Sequence, residues 1–209
     1  MARHPELYDA ILRGKRKDVA RIVQEQIDAG ADVEDLLNNT MIAAMRECGD
    51  KFSRGEVYVP EMLIAARAMN AGLVLIEPML VKAGHKAKGK VCIGTVKGDL
   101  HDIGKNLVAM MMKGAGYEVT DLGTDCDADR FVEAANGGAQ VIMLSALLTT
   151  TMPYMKTVVE KMAGKKDVKI VVGGAPITQE YADEIGAHGF GVDANDAVKV
   201  VDRLLQLAS

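Results

Sequence analysis

The turn that contains His101 has residues that could bind a metal or transfer a proton. His101 follows Asp99 by two residues and precedes Gly104 by three, and the turn comes after an apolar stretch that ends at Val96. A carboxylate beside an imidazole can accept a hydrogen bond from one ring nitrogen, which leaves the other nitrogen free to bind a metal or to move a proton. The alternative is a solvated turn in which Asp99 only caps the next helix, and the residues alone leave it open.

An ordinary zinc site does not fit this turn, because zinc needs three or four protein ligands and the turn offers one imidazole. The cysteines, Cys48, Cys92 and Cys126, have no C-x-x-C spacing, which argues against a cysteine-built zinc or iron–sulfur site. A metal in a macrocycle needs only one axial residue from the protein. Haem and a corrin are both candidates, although a C-x-x-C-H attachment motif is absent and aromatic residues are scarce.

The elements that position this turn lie in the second half of the chain, where short β-rich runs alternate with helical patterns. Five such units predict a parallel sheet covered by helices on both faces. The predicted strands are Val91–Val96, Tyr117–Leu122, Val141–Ser145, Val168–Val172 and Gly189–Val192. The predicted helices are Gly104–Gly114, Asp127–Ala135, Thr151–Ala163, Thr178–Ile185 and Asp196–Leu207.

In an open sheet of this kind, ligands bind beyond the carboxyl ends of the strands, where the strand order reverses. With the order 2-1-3-4-5, the turns after the first and third strands flank the reversal, and the turn after the fourth adjoins them. The third turn supplies the hydroxyls of Ser145, Thr149 and Thr151, and the fourth supplies Gly173-Gly174. Helix capping and a tight turn would explain each feature singly. Together they predict one slot with an imidazole at its mouth.

The first eighty or so residues follow a helical pattern. Apolar residues recur at helical spacing from Pro5 to Ile76 without a strand signal, which predicts a bundle of about four helices. The stretch 84–90 has the composition of a linker. We therefore expect a helical domain over 1–88 and an α/β domain over 89–209, a division that 209 residues can support.

Composition narrows the classes of partner. A formal net charge of −4 argues against nucleic acid, and five tyrosines, three phenylalanines and no tryptophan argue against base stacking. We expect no membrane association, because no continuous apolar run reaches the roughly 18 residues that span a bilayer and the N-terminus lacks the apolar core of a signal peptide. Unpaired, reduced cysteines fit a cytoplasmic protein.

Three motifs resemble those of cobalamin-binding domains. Gly98-Asp99-Leu100-His101-Asp102-Ile103-Gly104 is similar to the Asp-x-His-x-x-Gly signature of that family. Ser145-Ala146-Leu147 and Gly173-Gly174 resemble its second and third motifs, in the same order and at the expected strand ends. The helical region, through Lys51–Met62, resembles the cap module of methionine synthase and of small corrinoid proteins of methyl-transfer systems. The resemblance implies a helical bundle followed by a flavodoxin-like (Rossmann-type) five-stranded sheet.

The resemblance also implies roles for individual residues. His101 would be the lower axial ligand of cobalt, with Asp99 as its hydrogen-bond partner, and Thr151 falls where relatives often have a serine that completes the relay. The other residues implied to contact the cofactor are Gly98, Leu100, Asp102, Ile103 and Gly104 around the histidine, Ser145, Leu147, Thr149, Gly173 and Gly174 along the nucleotide tail, Ala194 at its far end, and Phe52, Val59 and Met62 over the upper face of the corrin.

The implied function is that of a methyl carrier rather than a complete enzyme. The cofactor would be cobalamin or a related corrinoid, alternating between methylcobalamin and cob(I)alamin. A substrate-specific methyltransferase would load the methyl group, an acceptor methyltransferase would remove it, and a reductive activase is a further expected partner. Because cob(I)alamin releases its axial base, the Asp99–His101 pair would take up a proton when the histidine lets go, which would couple coordination to pH.

Other functions are compatible with the same histidine motif. A small subunit of an adenosylcobalamin-dependent mutase would share it, and so would a cobalamin sensor, but the helical cap favours the methyl carrier. Without the resemblance, a phosphate- or nucleotide-binding flavodoxin-like module would be the alternative, although no glycine-rich dinucleotide fingerprint follows the first strand. The methyl donor is not determined by these residues.

Overall fold

A computed structural model describes residues 3–206 of the chain. It divides into two compact units. The helical unit comprises the residues up to 87 together with 113–116, and the α/β unit comprises residues 88–112 and those from 117 onward.

The helical unit contains four helical rods, as the apolar spacing predicts. The helices are α1 (Pro5–Leu12), α2 (Arg16–Asp28), α3 (Val33–Asp35), α4 (Ala43–Ser53) and α5 (Val59–Lys82). A π-helical stretch, Leu36–Ile42, joins α3 to α4, so these three segments form one continuous rod. The α-helical periodicity of the apolar residues gave no sign of this wider turn. The predicted four-helix bundle is confirmed.

Close packing of α2 against α5 forms the centre of this bundle. Val19, Ile22 and Val23 form the buried face of α2. Gly72 of α5 faces them so closely that an added Cβ would lie 3.0 Å from methyl groups of Val19 and Val23. A side chain at position 72 would therefore push the two helices apart. Pro78 lies within α5 but does not end it.

Helix α5 bears on the expectation that the chain does not associate with a membrane. Its length and composition would allow it to cross a membrane, although no continuous apolar run of that length exists. This is weak evidence for a span, because the core helix of a soluble protein passes the same test. One face of α5 is buried, including Met62, Ala65, Met69 and Ile76.

The α/β unit has a parallel sheet in the order β2-β1-β3-β4-β5, which confirms both the predicted order and the flavodoxin-like class. The strands are β1 (Lys90–Thr95), β2 (Glu118–Asp121), β3 (Val141–Ser145), β4 (Lys169–Gly173) and β5 (Gly189–Gly191). The helices are α6 (Ile103–Gly114), α7 (Ala128–Asn136), α8 (Tyr154–Lys161), α9 (Gln179–Ile185) and α10 (Ala194–Leu204). Helix α8 begins three residues later than predicted, because Thr151 to Pro153 form turns.

The register of the central strands aligns the turns that follow them. Thr95 at the end of β1 pairs with Ser145 at the end of β3, and Ser145 pairs with Gly173 at the end of β4. The interiors of these strands are buried, as expected for a sheet covered on both faces. The three turns that carry the sequence motifs therefore start side by side at one edge of the sheet.

We predict that the cysteines of the folded protein react slowly with a thiol reagent. All three are buried and unpaired, and burial raises the pKa of Cys48 to about 11 and that of Cys92 to about 12. Burial also raises the pKa of Cys126. Because the thiolate is the reactive form, Cys48 and Cys92 should react at least about 100-fold more slowly than a free cysteine, and Cys126 should also react more slowly. Ellman's reagent, with and without denaturant, measures this, and one fast thiol in the native protein would contradict it.

Candidate cofactor site

The imidazole of His101 is held on one side and open on the other. It lies in the loop of residues 96–102 between β1 and α6, and its side chain is 50% exposed. Its Nδ1 atom lies 2.7 Å from Oδ1 of Asp99. Its Nε2 atom has no hydrogen-bond partner within residues 3–206. One ring nitrogen is therefore oriented by the protein and the other is available to a ligand.

Asp99 is a fully buried carboxylate with four hydrogen-bond donors. Oδ1 accepts the backbone N–H of His101 at 3.0 Å and the ring nitrogen of the same residue at 2.7 Å. Oδ2 accepts the backbone N–H of Leu147 at 2.8 Å and the hydroxyl of Thr151 at 2.7 Å. Burial alone would raise the pKa of this carboxyl, but the hydrogen bonds outweigh it and hold the pKa well below its usual range. Because the ionised carboxylate only accepts, Nδ1 of His101 must donate.

Thr151 completes a three-residue chain from the loop after β3 to the imidazole. Its hydroxyl also lies 3.1 Å from the carbonyl of Leu148, a second acceptor for its single proton. Its methyl group lies 3.7 Å from where a Cβ on Gly98 would be, which is an ordinary contact distance. The extra methyl of threonine relative to serine is thus accommodated, and the predicted His101–Asp99–Thr151 arrangement is present in the geometry.

A second polar chain, which sequence reasoning missed, reaches Asp102 beside the histidine. The Lys105 side chain is 2% exposed, and its ammonium donates to Asp121 Oδ1 at 2.6 Å and to Asn106 Oδ1 at 2.6 Å. The Asn106 side chain in turn donates to Oδ2 of Asp102 at 3.0 Å. The sequence does contain a signal for this chain of polar groups. Lys105 and Asn106 come directly after Gly104, where α6 is expected to present apolar residues to the sheet.

Chain packing requires glycine at the end of β4, independently of any role in ligand binding. Gly174 has φ of 132°, and an added Cβ would lie 1.8 Å from the carbonyl oxygen of Ala146. The loops after β3 and β4 therefore approach each other as only glycine permits. Ser145 is half-buried at the start of the first of these loops, and Thr149 is exposed within it. The structure thus brings the second and third motifs together.

Exposed apolar side chains follow the carboxyl ends of three strands. Leu100 is 74% exposed and Ile103 is 75% exposed, on either side of His101. Leu147 and Leu148 are exposed after β3, and Val192 is exposed after β5. Leu100, Ile103 and Leu147 are among the residues that the sequence motifs identify. A group of apolar side chains in water around a free imidazole fits a large, partly apolar ligand.

The donor set fits a macrocyclic metal cofactor better than a bare ion. Within the described part of the chain, no group of three or more His, Cys, Asp and Glu side chains could hold a metal ion. A metal at His101 must therefore bring most of its own ligands. A Cβ added at Gly104 would have no atom within 4 Å, so protein packing does not require a glycine there.

The remaining predicted contact residues lie elsewhere. Ala194 is buried at the first position of α10, whose N-cap Asp193 accepts the backbone N–H of Asp196 at 2.8 Å. Phe52, Val59 and Met62 belong to the helical unit. Phe52 and Val59 are half-buried and Met62 is fully buried, so Met62 presents no surface to a ligand in this conformation.

Comparisons with known proteins find B12 binding domains and corrinoid proteins. Two family models, each described as a B12 binding domain, match residues 89–199 and 5–77. A corrinoid protein of Desulfitobacterium hafniense is 41% identical over 96% of both chains. The trimethylamine corrinoid protein of Methanosarcina barkeri is 44% identical over 89% of this chain and 88% of its own.

Two solved structures of cobalamin-related proteins are similar to this chain. The methanol:cobalamin methyltransferase complex of Methanosarcina barkeri contains a chain that matches with a TM-score of 0.86 and 29% identity, covering 98% of this chain and 80% of that one. A cobalamin-binding protein of Desulfitobacterium hafniense matches with a TM-score of 0.77 and 26% identity, over 94% of this chain and 96% of that one.

We predict that replacing Asp99 with Asn destabilises the protein and flattens its acid denaturation. Loss of the charged acceptor should reduce the free energy of unfolding by about 1–3 kcal/mol at neutral pH. The depressed pKa of Asp99 contributes stability that is fully present above the ordinary aspartate value of 3.8 and is lost as pH falls below it. Urea unfolding across that pH range measures both effects. The idea fails if Asp99→Asn has the same acid profile as the parent.

Proposed function

We propose a methyl-carrier function from the premise that this chain belongs to the B12-binding corrinoid proteins of methyltransferase systems. Its cofactor is cobalamin or a related corrinoid. The carrier would act in the cytoplasm between a methyltransferase that loads the methyl group and a second one that removes it, with a reductive activase as a further partner. The observation that carries this proposal is the open Nε2 atom of His101, at the end of a buried and fully hydrogen-bonded relay.

His101 would serve as the axial ligand of cobalt, with the cofactor's own base displaced. A bound corrinoid supplies a cobalt centre that can accept a methyl group from one partner and give it to another. Asp99 keeps the Nδ1 proton in place, so Nε2 presents its lone pair to the metal. When Nε2 is not coordinated, it can hold a proton while Nδ1–H remains hydrogen-bonded to Asp99. The chain can therefore bind or release a proton at one defined atom.

The other residues of this edge would bind the rest of the cofactor. Leu100, Ile103 and Leu147 offer exposed apolar surface to a corrin ring and would exclude water from its lower side. Ser145, Thr149, Gly173 and Gly174 would line the slot for the nucleotide tail, with Ala194 at its far end. In the helical unit, Phe52 and Val59 keep part of their surface exposed and would cover the upper side, whereas Met62 would need to rearrange.

The identities favour a methylated amine as the donor that the first partner uses. Proteins of Methanosarcina named as trimethylamine and dimethylamine corrinoid proteins are 38–44% identical to this chain. The loading partner, rather than this chain, would bind the amine.

The central experiment is reconstitution with cobalamin and measurement of the visible spectrum. We expect the purified protein to bind one corrinoid with the spectrum of a nitrogen-coordinated, base-displaced cobalt, and we expect His101→Ala to lose that coordination. His188→Ala is the matched control, since His188 precedes β5 at the opposite edge of the sheet and accepts the N–H of Ile170. A protein that does not bind would remove the corrinoid function. A spectrum and pH dependence unchanged in His101→Ala would remove the axial role.

A second test separates stability from cofactor binding. Gly104 lies in the first turn of α6 with open space around it, so Gly104→Ala should raise the free energy of unfolding by up to about 1 kcal/mol. We expect the same variant to weaken corrinoid binding, because the methyl group would occupy space that the ligand needs. Calorimetry of the apo protein and titration with cobalamin measure the two effects.

Gly164→Ala provides the control for this pair of measurements. Gly164 also has nothing within 4 Å of an added Cβ, and it lies after α8 at the amino end of β4, away from the site. It should leave corrinoid affinity unchanged. Equal affinities in the parent, Gly104→Ala and Gly164→Ala proteins would argue against corrinoid contact at Gly104.

A further inference from the structure

The loop after β2, residues 122–127, contains a residue in an unfavourable backbone conformation next to the histidine loop. Asp125 has φ of 51°, and within residues 3–206 only Gln206 is another non-glycine residue with positive φ. This left-handed region is disfavoured for residues with a side chain, although aspartate tolerates it better than most. Strain of this kind persists where surrounding contacts require it.

Asp125 uses both its side chain and its main chain to hold Gly98 and Asp99, which are the residue before the Asp-x-His motif and its first residue. Its Oδ1 atom accepts the backbone N–H of Gly98 at 2.7 Å. Its own N–H donates to the carbonyl of Asp99 at 3.0 Å. The peptide group between Gly98 and Asp99 is thereby flanked by hydrogen bonds from one residue on a neighbouring loop.

This clamp acts on a different part of Asp99 from the relay to Thr151. The loop after β3 holds the carboxylate of Asp99 through Leu147 and Thr151. The loop after β2 holds its backbone carbonyl. Holding both the carboxylate and the carbonyl of Asp99 limits rotation of its main chain. His101 follows two residues later, so the position of its ring depends on that main chain. The placement of Nε2 therefore depends on both loops.

Turn formation alone does not explain an aspartate at this position. Glycine would adopt the same φ without strain, but it has no carboxylate to reach Gly98. Helix capping does not explain it either, because Asp127 is the N-cap of α7 and accepts the N–H of Arg130 at 3.2 Å. What Asp125 provides beyond glycine is the hydrogen bond to the histidine loop.

We propose that Asp125 is a positioning residue that sets the orientation of His101 toward the cobalt of a bound corrinoid. This inference rests on the proposed corrinoid function. It predicts that the fraction of protein with the histidine coordinated depends on the acceptor at position 125, even though residue 125 does not coordinate the metal.

Three variants of the full chain test the proposal. Asp125→Gly keeps the left-handed backbone and its N–H donor but removes the acceptor for Gly98. Asp125→Asn removes the charge and keeps an oxygen acceptor. Asp127→Asn removes a charge from the same loop without touching the histidine loop, and so provides the matched control. Thermal unfolding of each establishes that all three fold.

Two measurements distinguish positioning from a general loss of structure. Hydrogen exchange at the Gly98 amide of the apo protein reports the clamp directly and should be about tenfold faster in Asp125→Gly. The visible spectrum of the cobalamin-loaded protein reports the ratio of coordinated to free histidine. That ratio should fall about tenfold in Asp125→Gly and stay within about twofold of the parent in the other two variants.

The outcomes separate this proposal from the function on which it rests. Coordination that is unchanged in Asp125→Gly, or that falls equally in Asp127→Asn, overturns the positioning role while the corrinoid function stands. A loss in Asp125→Gly that Asp125→Asn does not share supports it. If the parent protein binds no cobalamin, the proposed function and this inference both fail, and the Gly98 exchange rates then report the clamp as a structural contact only.

Discussion

The buried carboxylate of Asp99 is the interaction on which the site depends. Removing an ionised carboxylate from water is costly unless hydrogen bonds replace the lost solvation, and here His101, Leu147 and Thr151 supply four donors. These donors come from two loops that are separated by about fifty residues of chain, so the ionised form is stable only when both loops are in place. The same bonds that keep Asp99 charged also fix which nitrogen of His101 faces outward. The orientation of His101 therefore depends on contacts from both loops.

The sheet makes this arrangement possible because its central strands end in register. Thr95, Ser145 and Gly173 are neighbours, so the turns that follow them must emerge together. Thr95 adds a direct contact, since its buried hydroxyl donates to the carbonyl of His101 at 2.8 Å. A slip of one residue in any of these strands would turn its side chains to the opposite face and separate the turns. The buried apolar faces of β1, β3 and β4 thus maintain the geometry of a polar site that lies beyond them.

Local sequence patterns predicted most of the fold and the centre of the site. They failed for residues whose conformation or burial depends on long-range contacts. Short β-rich apolar runs between helical patterns located each strand to within a residue or two, and the strand-order rule located the turns. Nothing local revealed Asp125, because a positive φ at an aspartate and its bond to Gly98 depend on how β2 and β1 pair. The burial of Lys105 was missed for a similar reason. A lysine in a helix is usually exposed, whereas the ammonium of Lys105 is buried in an ion pair with Asp121. The π-helical segment 36–42 has no sequence signal in the apolar spacing.

The scarcity of metal ligands in this chain becomes intelligible from the same geometry. A protein that builds its own metal site must converge several ligands and exclude other ions, whereas a corrin would bring most of its own ligands and would need few from the protein. Under the proposed function, the chain would need one imidazole for that purpose, and Asp99, Thr151 and Asp125 would orient it. Control of a single ligand would also suit the proposed carrier function, because one imidazole could either bind the metal or leave it. A rigidly converged ligand set would stabilise one state of the metal, while one braced histidine with a free nitrogen can serve more than one.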